Sequence, residues 1–133
     1  MDLLYYPIIT GIIAVLVVYL LAKGILKKDA GSDNMKEISG YIEEGALAFL
    51  RKEYSYLAVF IIIVAALIWI FLDVRTASAF VVGAIFSIIS GFVGMRVAVK
   101  ANVRTAEAAK YGIKDALSIA FSGGSVMGLC VVG

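Results

Sequence analysis

Residues 54–95, "YSYLAVFIIIVAALIWIFLDVRTASAFVVGAIFSIISGFVGM", decide the fold. No Asp, Glu, Lys or Arg occurs from Tyr54 to Leu72 or from Thr76 to Met95, and only "DVR" at 73–75 separates the two runs. Crossing a hydrocarbon layer about 30 Å thick takes about 20 residues of helix, so each run is long enough to cross once. Backbone N–H and C=O groups find no water there and must pair within their own segment, as they do in a helix. Barrel strands would alternate and be about half as long.

Working outward, Leu3 to Ala22 and Ala116 to Gly133 are also free of charge. The four runs predict helical spans at about 3–26, 50–72, 76–99 and 115–133, with polar connections at about 27–49 and 100–114. The expected fold is therefore an all-α, polytopic membrane protein, residues 1–133 forming part of a single membrane domain. Composition agrees: 62% of residues are hydrophobic and 17% charged, against an apolar share of about 45–50% in soluble domains. The first run follows only Asp2, is too long for the apolar core of a secretory signal and carries no evident small-residue cleavage pattern, so it reads as a retained span.

The basic residues set the orientation. Lys23, Lys27, Lys28, Lys36, Arg51 and Lys52 lie between the first two spans, and Arg96, Lys100, Arg104, Lys110 and Lys114 between the last two; the middle connection holds Arg75 alone. Lys and Arg are retained in the cytoplasm, so the amino terminus and the DVR turn are expected outside and both long connections inside. Tyr5, Tyr6 and Pro7 suit the outer headgroup layer. Basic residues beside spans serve topology and contact with membrane lipid, not nucleic acid.

Asn34 followed by Glu37 resembles a capping box and predicts a helix from about Met35. Met35, Ile38, Ile42, Gly45 and Phe49 then recur at intervals of three and four, so the second helix is expected to project beyond the membrane. Two rows of small residues, Gly83–Ser87–Gly91 and Ser90–Gly94–Ala98–Asn102–Ala106, mark the third span. A further row, Ala116–Ala120–Gly124–Gly128, marks the fourth. Such rows let helix backbones approach closely.

Four features invite a chemical reading. "FSGGSVMG" at 121–128 looks like a phosphate cradle, yet no Lys follows Gly124 and no strand precedes it, so it reads as a packing surface. "MRVAVKANVRTAEAAKYGIKDAL" at 95–117 could attract an anion, but Arg104 and Glu107, three apart, read as a weak surface ion pair at a helix end. Glu37, Glu43, Glu44 and Glu53 could suggest magnesium; adjacent Glu43 and Glu44 splay about 100° apart, and a solvated face is the simpler reading. Cys130 stands alone and reads as a small apolar residue, and the absence of His removes His-based catalysis. No span carries an acid or base at mid-membrane, the usual mark of an ion path and a requirement for a proton-coupled four-helix exporter. Catalytic, cofactor-binding and metal residues are accordingly expected to be none. A complete small four-helix transporter, or a non-enzymatic membrane interaction module, is the alternative.

At "MKEISGYIEEGALAFLRKEY" (35–54), "GAIFSIISGFVGMRVAVKANVRTAEAA" (83–109) and "ALSIAFSGGSVMGL" (116–129), the chain resembles the membrane-bound, ion-translocating inorganic pyrophosphatases. The order and spacing match the beginning of that family. The resemblance implies a homodimeric pump in the cell membrane, about sixteen helices per subunit in an inner and an outer ring, hydrolysing pyrophosphate with Mg2+ and moving sodium ions or protons outward. It places the first four helices in the outer ring and the amino terminus outside. It further implies a response to K+ or Na+ in one branch, and the style of 35–54 suggests the potassium-stimulated sodium branch. Family members are several times longer, and their Asp-rich motifs for magnesium pyrophosphate have no counterpart here, so these residues alone are expected to be inactive.

Overall fold

The computed structural model describes residues 5–132, and the bounds expected at residues 3 and 133 lie outside them. It consists of α1 (Tyr5–Leu26), α2 (Asp33–Phe71), α3 (Val74–Ala109) and α4 (Ile113–Val132). Among the described residues there is no strand. All four helices are long and apolar enough to cross a membrane.

Two of them are much longer than a bilayer needs. With 39 and 36 residues, α2 and α3 reach about 58 and 54 Å, against a hydrocarbon thickness of about 30 Å. Each has an apolar half and a charged half, and the charged halves lie side by side. The connections expected at 27–49 and 100–114 are thus largely helical, the first from Asp33, close to the predicted start near Met35.

Helix α2 starts two residues before the predicted Met35. Its N-cap is Ser32, whose side chain makes no capping bond. The proposed Asn34–Glu37 box does not form, because both residues are already inside the helix; Glu37 accepts a hydrogen bond from the Tyr41 hydroxyl at 2.9 Å instead. The α2–α3 turn is better capped. The Asp73 carboxylate accepts from the Arg75 and Thr76 amides (2.8 and 3.0 Å) and from the Thr76 hydroxyl (2.7 Å), satisfying donors that the first turn of α3 leaves free.

Helix α3 is central, packed against α2 on one side and α4 on the other, while α1 lies along α4 and touches α3. Ile25, Val97, Ala101, Ile119 and Val126 form a buried cluster, with Val18, Leu21, Ala22, Ala108 and Cys130 against it. Cys130 is thus half-buried packing, as a small apolar residue would be.

The α3–α4 contact depends on two glycines. A Cβ on Gly94 would meet the Met127 sulfur at 2.6 Å, and one on Gly123 would meet the Ala101 Cβ at 2.8 Å. Gly124 and Gly128 have open space around them, and Gly123, one residue aside, makes the close approach. On α3, Gly83 is likewise open, while Gly91 sits 3.3 Å (from an added Cβ) from the Tyr54 hydroxyl.

The predicted apolar stripe on α2 also shifts. Met35, Ile38 and Ile42 line a groove shared with Val99 and Val103 of α3, but Phe49 is exposed and Gly45 faces open space. The line that faces α3 passes through Glu43, buried Leu50 and Tyr54, whose hydroxyl donates to the Ile88 carbonyl at 3.0 Å. Two polar residues on that line hid it from a hydrophobic pattern.

Candidate functional site

Among the described residues, every charged side chain except Asp73 and Arg75 lies at one end of the bundle. There the chain forms two polar assemblies, a clasp joining the α1–α2 loop to α3 and a bridge between α2 and α3.

The clasp begins with "DAG" at 29–31. The Asp29 carboxylate accepts from the Gly31 amide at 2.9 Å and turns the chain. Gly31 takes φ of +82°, a region glycine enters without steric cost. Having no side chain, it lets the Glu107 carboxylate and Met35 sulfur come up against its Cα. Glu107 is only 7% exposed and is paired with Lys110, whose Nζ donates to it. That hydrogen bond holds the Lys110 ammonium above the usual lysine range. Arg104 donates from Nε to the Lys28 carbonyl (3.1 Å) and from a terminal nitrogen to the Lys100 carbonyl (2.8 Å).

The expected Arg104–Glu107 pair is therefore corrected. Arg104 turns toward two carbonyl oxygens and Glu107 toward Lys110, so Glu107 is a buried group rather than a surface one. The cavity beside them, about 260 Å³, is lined by Lys28, Asp29, Arg104, Glu107, Tyr111 and Asp115. Its three acids outnumber its two bases, and Arg104 is already committed to carbonyls. This composition suits a structural tie better than an anion cradle.

In the bridge, Glu43 lies 3.5 Å from Arg96 and 3.9 Å from Lys100. The four acids that could suggest magnesium are dispersed, Glu37 toward Tyr41, Glu43 toward α3, with Glu44 and Glu53 exposed. Among the described residues no three His, Cys, Asp or Glu side chains gather closely enough to hold a metal ion. The residues present do not fit Mg2+.

"FSGGSVMG" lies inside α4. A phosphate loop offers free backbone N–H groups, whereas those of a helix interior are engaged four residues back. Gly123 then serves packing against Ala101, and Gly124 and Ser125 face outward. Sequence reasoning missed the roles of Gly31 and Gly123 and the burial of Glu107. The Asp-x-Gly signature at 29–31 could have exposed the first; a buried carboxylate leaves no comparable trace.

The sequence matches the family described as "Inorganic H+ pyrophosphatase" over residues 12–133. The chain belongs to this family. A provisionally named K(+)-stimulated pyrophosphate-energized sodium pump of Clostridium tetani is 52% identical over 96% of this chain and 19% of its own length. A K(+)-stimulated pyrophosphate-energized sodium pump of Thermotoga maritima is 46% identical over 82% of the chain and 15% of its own. A K(+)-insensitive pyrophosphate-energized proton pump of Methanosarcina mazei is 44% identical over 98% and 20%. The chain thus spans a fifth or less of these pyrophosphatase relatives. The bridge, both helix interfaces and the clasp all fall inside the stretch that matches the pyrophosphatase family.

Proposed function

We propose that these four helices are outer-ring scaffold of a pump in the cell membrane that couples pyrophosphate hydrolysis to outward transport of sodium ions or protons. The carrying observation is the family match over residues 12–133, joined to 52% identity with a protein named as such a pump. The two relatives named as sodium pumps are more identical to this chain (52 and 46%) than the proton pump is (44%), which favours sodium with potassium stimulation. The amino terminus is proposed to lie outside, on the charge distribution. Homodimerisation follows from the family resemblance.

On this reading the 133 residues hold the machine together and do not hydrolyse pyrophosphate. The family resemblance assigns magnesium and pyrophosphate to other segments, and the acids present here are spread among different partners. The family match takes the place of the small-exporter and interaction-module readings.

The test is magnesium-dependent pyrophosphate hydrolysis in membranes, comparing the 133-residue chain with the longest product of its native reading frame. Activity in the longer product alone is expected; activity in the short chain would sink the scaffold reading. Uptake of sodium against pH change in inverted vesicles then identifies the pumped cation.

A further inference from the structure

Among the described residues, three helices carry a basic side chain over an aromatic ring four residues away. Lys23 Nζ lies 5.9 Å from the centroid of the Tyr19 ring on α1, Lys52 Nζ 5.8 Å from that of Tyr56 on α2, and the Arg96 guanidinium carbon 5.5 Å from that of Phe92 on α3. In α1 and α3 the cation follows its ring; in α2 it precedes it. Helix direction explains the reversal. α1 and α3 run toward the charged end, where the Lys28 carbonyl meets Arg104, and α2 runs away from it, Glu43 of its first half meeting Arg96. In all three helices the cation therefore sits on the charged side of its ring. A preference internal to helices would keep one order along the sequence, whereas an external boundary produces this alternation.

The spacing identifies the boundary. Tyr5 to Lys23, Lys52 to Asp73 and Asp73 to Arg96 correspond to about 27, 32 and 35 Å of helix, each close to the roughly 30 Å hydrocarbon thickness. The cations thus lie one hydrocarbon thickness from the opposite surface, at headgroup level. The Tyr19 and Tyr56 rings point outward, 61 and 67% exposed. Among the described residues neither Lys23 nor Lys52 has a carboxylate within 4 Å, while Arg96 is shared with Glu43.

We propose that Lys23 and Lys52, each steadied by a tyrosine ring on its bilayer side, dock the phosphate groups of anionic phospholipids in the leaflet at the charged end. A ring on one side of an ammonium leaves its N–H donors free on the other, and unpaired positive charge at this depth complements lipid phosphate. This goes beyond the pump reading and requires only that the helices span the bilayer.

Native mass spectrometry of the full-length chain, released from nanodiscs containing equal phosphatidylglycerol and phosphatidylcholine, tests it. The parent should retain phosphatidylglycerol preferentially. The Lys23→Gln/Lys52→Gln variant should hold it about thirty-fold more weakly, the equivalent of about 1 kcal/mol per lysine, with phosphatidylcholine unchanged. Lys23→Arg/Lys52→Arg should retain it as the parent does, and excess inorganic phosphate should not strip it. Unchanged phosphatidylglycerol in the glutamine variant, an equal fall in both lipids, loss in the arginine variant, or stripping by free phosphate would each overturn the proposal.

Discussion

The two sides of α3 are built on different principles. Toward α4 and α1 it closes around a shared buried cluster, Ile25, Val97, Ala101, Ile119 and Val126, with Gly94 and Gly123 admitting the neighbouring chain. Toward α2 it leaves an apolar groove of about 620 Å³ near the Trp69 end, and contact relies on separate polar pins, Tyr54 to Ile88 and Glu43 to Arg96. None of the shared cluster comes from α2. In a lipid environment apolar burial hardly distinguishes a helix neighbour from an acyl chain, so association depends on close packing or hydrogen bonds. Each side of α3 uses mainly one of these. The α1–α3–α4 side should thus fail through overpacking, and the α2 side through loss of polar partners.

The largest effect is expected at the clasp. Gly31→Ala places a side chain in the left-handed region and against Glu107 and Met35, costing about 2–3 kcal/mol between strain and overpacking. Thermal unfolding in detergent should show it, and a variant as stable as the parent would refute the close approach. Next come adjacent glycines on α4. Gly123→Ala should lose roughly 1–3 kcal/mol by overpacking, reduced by a helix-propensity gain of about 1 kcal/mol, because its methyl meets the Ala101 methyl. Gly124→Ala meets nothing and should leave the α3–α4 contact as it is. Equal effects at the two positions would show that the helix is rotated from its described setting.

That rotation is also where the sequence stopped being legible. Apolar runs and the charges between them suffice for four helices, since the bilayer demands length and backbone satisfaction whatever the packing. Small residues announce that α3 and α4 each offer a face for close approach. They do not say which face, because Gly123 and Gly124 are neighbours about 100° apart on the helix and both could head a row of small residues. The α2 interface was harder still, because Glu43 and Tyr54 on the α3-facing line break the apolar period. Charge patterning suggested a weak Arg104–Glu107 pair, while the burial of Glu107 depends on a loop glycine over seventy residues earlier. Such contacts are set by tertiary approach and have no local signature.

On the α2 side, Tyr54→Phe keeps the ring and removes the hydroxyl, leaving the Ile88 carbonyl with only its helical bond. The loss should be about 0.5–1.5 kcal/mol, measured by reversible unfolding. Glu43→Gln should cost less. Its partners are 47 and 38% exposed at the side chain, so solvent screening limits the pair to roughly 0–1 kcal/mol, and the difference from the parent should shrink further as salt rises. If Glu43→Gln outweighs Gly123→Ala, the contrast between the two sides is wrong.

The smallest effects are expected from pH, through Asp73 at one turn and Lys110 at the other. At the α2–α3 turn, the Thr76 hydroxyl, followed by the Thr76 and Arg75 amides, holds the Asp73 carboxyl below its usual range against an opposing effect of desolvation. A lowered folded value means stabilisation in full above the ordinary aspartate pKa of about 3.9, lost as pH falls through the lower folded value. At the α3–α4 turn, the hydrogen bond to Glu107 raises Lys110. Its stabilisation is complete below the ordinary lysine pKa of about 10.4 and disappears as pH climbs through the higher folded value. Backbone chemical shifts of Thr76 and Tyr111 followed by NMR should separate the two. Acid should unwind the start of α3, and alkali should disturb Tyr111 while Thr76 holds. Both turns loosening together in alkali would mean that they do not behave as independent ties, and that the α2 hairpin is coupled to the three-helix side more tightly than its packing suggests.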